Sequence, residues 1–127
     1  EGLRRLASKY TLVTLSNGSF AWLTAIAKHG NLPFDAILTA ENAGVYKPHP
    51  NVYLKAIELM GMKATPEMCM LTACHNYDLE AARSHGMKTA FLPRKEYGPD
   101  QEADQAPESD WEVVAKDLIG VAEAMGC

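Results

Sequence analysis

An α/β fold built on a mainly parallel sheet is what this sequence predicts, and two observations carry that expectation. Short apolar, β-branched runs alternate with amphipathic stretches of helical period along the chain. The runs also stop abruptly at small polar residues just before the next helical pattern, as at Ser16-Asn17-Gly18 and at Ala73-Cys74-His75-Asn76. Alternation of this kind builds βαβ units with right-handed connections and helices on both faces of the sheet. A chain of 127 residues fits one domain with a real core.

Each element follows from local pattern. Leu3 and Leu6 have helical spacing, and that segment delivers the chain to a strand over 10–15. Phe20, Leu23, Ile26 and Ala27 then give one apolar stripe, predicting a helix that starts at Ser19 and is closed by Gly30 at the left-handed C′ position. A second strand is expected over 36–39. The prolines of Lys47-Pro48-His49-Pro50 forbid regular structure in the following loop and favour a helix start just after it. Tyr53, Leu54, Ile57 and Met60 supply that helix's apolar face, and Gly61 ends it. A third strand over 68–72 precedes a helix over 77–85 that stops at Gly86, and a fourth strand is expected over 88–92. The stretch 93–109, rich in Pro, Asp, Glu and Gln, reads as a surface loop. A short edge strand over 111–115 and a closing helix over 118–125, N-capped by Asp117, complete the chain. Met60, Met62, Met68, Met70, Trp22 and Trp111 are expected to fill the core.

Composition narrows the function classes. A net charge of -4 and a pI near 5.5 offer no basic footprint for nucleic acid or an anionic membrane. No apolar run approaches membrane-spanning length, and Glu1-Gly2-Leu3-Arg4-Arg5 lacks a signal-peptide core. Cys69, Cys74 and Cys127 are odd in number and without CxxC spacing, which fits reduced cysteines of a cytoplasmic protein and no zinc site. The chain opens without Met inside a helical pattern, and the expectation is that it begins within a larger protein.

The chemistry-bearing residues recur once per βα unit. Ser16 follows the first strand, Lys47 lies beyond the second and Asp78 beyond the third, thirty-one residues apart each time. In a parallel sheet all three reach the same edge, where open α/β sheets bind ligands. A hydroxyl, a fixed cation and a carboxylate converging there suit a small anionic substrate. Serine and amide hold oxyanions, lysine neutralises charge, and aspartate orients the lysine or a water. Each residue also has a plainer role: Ser16 in a turn, Lys47 as a solvated loop cation, Asp78 as a carboxylate favoured in a first helical turn. His49 and His75 read as loop and pocket histidines, His29 and His85 as helix-end residues, and Cys74 as a small pocket residue.

Leu15-Ser16-Asn17-Gly18, Val45-Tyr46-Lys47-Pro48 and His75-Asn76-Tyr77-Asp78-Leu79 with Ala81-Ala82-Arg83 together resemble the second, third and fourth signature motifs of the haloacid dehalogenase superfamily. Ser16-Asn17-Gly18, Thr89-Ala90-Phe91 and Glu96-Tyr97-Gly98-Pro99 most resemble its type II 2-haloacid dehalogenase branch. The resemblance implies a Rossmann-like three-layer sandwich, with residues 1–127 as the C-terminal part of one core domain. It implies that Ser16 binds a substrate carboxylate, that Asn17 helps hold the departing halide, that Gly18, His75 and Tyr77 join these two in substrate binding, and that Lys47 stabilises a nucleophilic carboxylate. Asp78 would position Lys47 and the hydrolytic water. His75 stands where such dehalogenases often carry Asn, and Tyr77 takes the place of the aromatic residue beside the aspartate.

Two departures matter. The family's nucleophilic aspartate belongs to a first motif, and the residues before Ser16 include no Asp; the helical cap between the first two motifs is absent as well. By the same resemblance the first-motif strand lies centrally, between the strands over 10–15 and 68–72. Its absence would leave two strand edges unpaired, so an N-terminal segment or another copy is expected to complete the sheet. The chain alone is expected to be inactive. Thr72, Ala73 and Cys74 stand where magnesium-dependent phosphatases of the superfamily carry a further acidic residue. A hard cation requires carboxylate oxygens, so the sequence favours metal-free carbon–halogen hydrolysis with no cofactor over a Mg²⁺-dependent phosphatase. A non-catalytic fragment used for binding or assembly is the reading from another class. A phosphate-signalling receiver domain fits less well, because its acidic cluster is missing.

Overall fold

The structure, a computed structural model, describes residues 1–95, 98–100 and 103–127; Glu96 and Tyr97 of the Glu96–Pro99 resemblance lie outside them. The described residues form five short strands and five helices, alternating up to β4: α1 (Gly2–Ala7), β1 (Val13–Ser16), α2 (Phe20–His29), β2 (Ala36–Thr39), α3 (Pro50–Leu59), β3 (Met70–Ala73), α4 (Asn76–Ser84), β4 (Lys88–Phe91), β5 (Val113–Val114) and α5 (Leu118–Ala124). All pairings are parallel, as the βα alternation requires. The fold is the α/β, Rossmann-like one expected, with one qualification. The strands form two sheets, β1-β2 and β3-β4-β5, and β1 and β3 do not hydrogen-bond to each other.

Local chemistry explains the boundaries. Ser19 caps α2 by accepting from the Trp22 amide, Pro50 occupies the first turn of α3, and Asp117 caps α5 by accepting from the Gly120 amide at 2.8 Å. The start of β3 is delayed to Met70 because Pro66 opens a 3₁₀ turn over Pro66–Met68. Gly86, with φ +89, ends the α4 segment, and a Cβ there would sit 2.9 Å from Pro66 Cγ. Gly2 permits the closest helix contact: a Cβ at that position would lie 2.4 Å from the Leu118 backbone. That contact joins α1 to α5, with the Tyr10 hydroxyl donating to the Met125 carbonyl at 2.9 Å.

Two buried clusters result. One gathers Val52, Tyr53, Ile57, Leu71, Leu79, Phe91 and Trp111 around α3, β3 and α4; the other gathers Leu6, Ala90, Val113 and Val121. Several expectations need correction. Gly30 is right-handed (φ -82) and the left-handed residue is Asn31 (φ 47), a conformation that asparagine tolerates better than most residues. Leu54 and Met68 are exposed, because the inward face of α3 is set by Val52, Tyr53, Ala56 and Ile57, and because Met68 lies in the 3₁₀ turn. The apolar stripe of α2 has no buried residue: Phe20 and Ile26 are 55% and 40% exposed and Leu23 and Ala27 are half-buried, while Trp22, expected in the core, is 62% exposed. Trp111, by contrast, is buried as expected.

Candidate active site

The turn after β1 fixes the backbone on which the site is built. Ser16 Oγ accepts from the Gly18 amide at 3.0 Å, closing the turn locally. Asn17 reaches across thirty residues: its Oδ1 accepts from the Lys47 amide at 2.8 Å and its Nδ2 donates to the Lys47 carbonyl at 3.5 Å. The loop before α3 is thereby tied to the carboxyl end of β1. The start of α2 is partly occupied by the chain's own acceptors, since the Phe20 amide donates to Glu41 Oε1 at 2.9 Å and the Trp22 amide to Ser19 Oγ at 3.2 Å.

From that loop Lys47 points to α4. Its Nζ donates to Asp78 Oδ2 at 2.6 Å, and the two side chains are only 12% and 6% exposed. The other carboxylate oxygen, Oδ1, accepts from the Tyr53 hydroxyl at 2.5 Å. Tyr53 is fully buried on α3, and its hydroxyl is pushed far above the usual range, first by burial and then by the bond to Asp78. Sequence reading placed Tyr53 on an apolar helix face and missed this role. The available signal was that a buried tyrosine hydroxyl needs a partner.

The hydrogen bonds thus bring Asn17, Lys47 and Asp78 together and add Tyr53. Ser16 and Gly18 sit in the adjoining turn and bond to each other. His75 lies at the N-cap of α4, 3.6 Å from Cys74 Sγ, with its ring tilted against half-exposed Tyr77 at 5.4 Å. Burial pushes the Cys74 thiol up, so it holds its proton at neutral pH and is a poor nucleophile. His49 caps α3, accepting from the Asn51 amide at 3.1 Å. Among the described residues no three His, Cys, Asp or Glu side chains gather as a metal site, and both oxygens of Asp78 are already engaged. An open depression of about 290 Å³ between α4 and the 108–111 segment is lined by Glu80, Arg83 and Trp111, among others, but not by Ser16, Asn17 or Lys47.

What these features define is an α/β protein with a desolvated lysine–carboxylate pair at the carboxyl edge of parallel strands, a place suited to anionic substrates. Comparison with known proteins gives the class a family. Residues 1–86 match the family of haloacid dehalogenase-like hydrolases, and the chain belongs to it. It is 28% identical to the (S)-2-haloacid dehalogenase 4A of Burkholderia cepacia over 131 residues, which cover 96% of this chain and 56% of that one. The L-2-haloacid dehalogenase PA0810 superposes with a TM-score of 0.91 at 44% identity, over 98% of this chain and 53% of that one. The defluorinating L-2-haloacid dehalogenase Rha0230 gives 0.90 at 37%, over 99% and 51%. The chain therefore spans about half the length of the relatives it matches.

Proposed function

We propose that this chain is the part of a 2-haloacid dehalogenase that carries the Lys47–Asp78 pair, acting with a nucleophilic aspartate supplied from outside these 127 residues. The observation that carries the reading is the largely desolvated contact of Lys47 Nζ with Asp78 at 2.6 Å, on a loop whose Lys47 backbone amide is tied to Asn17 of the turn after β1. The three relatives compared above are 2-haloacid dehalogenases, which supports the substrate class.

In the proposed reaction a carboxylate oxygen of the incoming aspartate attacks the carbon that bears the halogen. The carbon–halogen bond breaks, halide leaves with the electron pair, and an aspartyl ester forms. Lys47 holds the attacking carboxylate by charge and hydrogen bond, in a desolvated setting where such contacts are strong. Asp78, fixed on one side by Tyr53, holds Lys47 and orients the water that cleaves the ester at its carbonyl carbon. Hydrolysis regenerates the aspartate and releases a 2-hydroxy acid. Ser16 and the neighbouring turn receive the substrate carboxylate, while Asn17, His75 and Tyr77 line the side from which halide departs. No metal takes part in this scheme.

Among the described residues β1 and β3 each have one edge without a strand partner, which supports a place between the two sheets for a further strand carrying the aspartate. The reading is tested by halide release from chloroacetate and 2-chloropropionate, using the longer protein that contains this chain, with Mg²⁺ and with EDTA. Halide release indifferent to EDTA is expected. Turnover confined to phosphate esters and dependent on Mg²⁺ would replace the dehalogenase with a phosphatase. In the same protein Lys47→Ala should slow halide release by roughly 10²–10³-fold, the loss expected when one stabiliser of developing charge is removed; a loop lysine would leave the rate unchanged.

A further inference from the structure

We infer that Asn76 is a positioning residue, through which the 104–111 segment holds α4 so that Asp78 meets Lys47. The inference rests on the reading of Lys47–Asp78 as the reacting pair.

Asn76 is 4% exposed and opens α4. Its Nδ2 donates to Asp104 Oδ2 at 2.9 Å and to the Ala106 carbonyl at 3.0 Å. Its Oδ1 accepts from the Glu108 amide and from Trp111 Nε1, both at 2.9 Å. A carboxamide offers two donors and two acceptor positions, and all four are used. The Asn76 backbone amide adds a fifth bond, to Asp104 Oδ2 at 2.7 Å. Asp104 thus caps a helix that starts 28 residues earlier.

The first turn of α4 needs that help. Its own ladder is long there: the Asp78 and Leu79 amides reach the His75 carbonyl at 3.2 and 3.4 Å, at and beyond the usual limit. Asp78 lies in this turn, two residues after Asn76, and must present one oxygen to Lys47 and the other to Tyr53. The segment is anchored again two turns along the helix. There the Arg83 guanidinium lies 4.4 Å above the Trp111 ring and donates to Asp110 Oδ1 at 2.9 Å and the Asp110 carbonyl at 2.7 Å. Held at Asn76 and at Arg83, α4 has little freedom to slide, and a slide of ~1 Å is enough to disturb a reacting constellation. Among the described residues no hydrogen bond or ion pair joins the segment to Lys47 or Asp78, so its action is geometric.

The test measures the Lys47–Asp78 contact without using catalysis. The 127-residue chain is acylated with a limiting amount of N-hydroxysuccinimidyl acetate, and peptide mass spectrometry gives the label on Lys47 relative to exposed Lys63. Asp104→Ala should raise that ratio roughly fivefold. Asp104→Asn, which keeps an acceptor oxygen for the Asn76 amide, should return it toward the wild-type value. Trp111→Phe, which keeps an aromatic ring beneath Arg83 and removes the Nε1–H donor, should raise it by a smaller factor. Asp117→Ala, at the cap of distant α5, controls for a general loss of stability and should leave the ratio unchanged. If Asp104→Ala does not fold, Trp111→Phe against Asp117→Ala decides. A wild-type ratio in folded Asp104→Ala and in Trp111→Phe, or an equal rise in Asp117→Ala, would overturn the inference. Failure of halide release by the longer protein would instead remove the proposed reaction and leave this contact measurement standing.

Discussion

Asp78 has its two carboxylate oxygens divided between a lysine and a tyrosine; Tyr53 is buried with it and Lys47 is largely covered. Spacing in the sequence was enough to foresee one of them, because one βα unit separates Lys47 from Asp78 and parallel strands return each unit to the same edge. Tyr53 was hidden by its own dual character: helical periodicity registers its ring and says nothing of its hydroxyl. Asn76 was hidden for a different reason, since its partners lie 28 to 35 residues away in a segment without periodicity. Removing the Tyr53 hydroxyl in Tyr53→Phe leaves a buried carboxylate oxygen short of a donor. Denaturant unfolding should show a loss of about 1–3 kcal/mol. A loss below ~0.5 kcal/mol, the range of an ordinary surface change, would mean the bond is not made. A second outcome concerns pH. The bond from the Asn76 amide holds the Asp104 carboxyl below its usual range. The folded state therefore binds this proton less tightly than the unfolded chain does. Its contribution to stability is present above the ordinary carboxylate range and is lost as pH falls through the lowered value. Thermal unfolding from pH 6 downward should show a smaller acid-induced loss in Asp104→Asn than in the wild type; identical profiles would contradict the assignment.

The elements divide into those whose packing is complete and one whose packing is not. Caps, prolines and turn residues were legible at the sequence level because their chemistry is local: Ser19, Pro50, Gly86 and Asp117 all act within their own turn. Burial was less legible. The stripe on α2 has the same spacing as a core-facing helix, yet its Phe20 and Ile26, and Trp22 beside them, stand in solvent, because the identity of a helix's partner is not encoded in the helix. The contrast can be measured by thermal or denaturant unfolding of the chain. Asp117→Ala should cost about 1 kcal/mol through loss of the α5 cap, and Trp111→Ala about 3–5 kcal/mol through the core. Trp22→Ala should cost less than ~0.5 kcal/mol, as for an exposed position. A cost for Trp22→Ala near that of Trp111→Ala would show that α2 is covered in solution.

At the scale of the molecule, the parallel sheet is interrupted between β1 and β3 while the lysine–aspartate pair spans the same region. The alternation of elements made the α/β class legible, and the three ordered motifs made the family legible. The interruption was foreseen only through the resemblance, since strand order is a long-range property that no local pattern records. On the proposed reading, Lys47, Asp78, Tyr53 and the Ser16 turn form one side of a site whose nucleophile enters with a further strand. Halide release from 2-chloropropionate tests this most directly, comparing the 127-residue chain alone, the longer protein that contains it, and the longer protein with Lys47→Ala. The account predicts no release by the chain alone, metal-independent release by the longer protein, and near-complete loss with Lys47→Ala. Release by the chain alone, or release by the longer protein that survives Lys47→Ala unchanged, would contradict it.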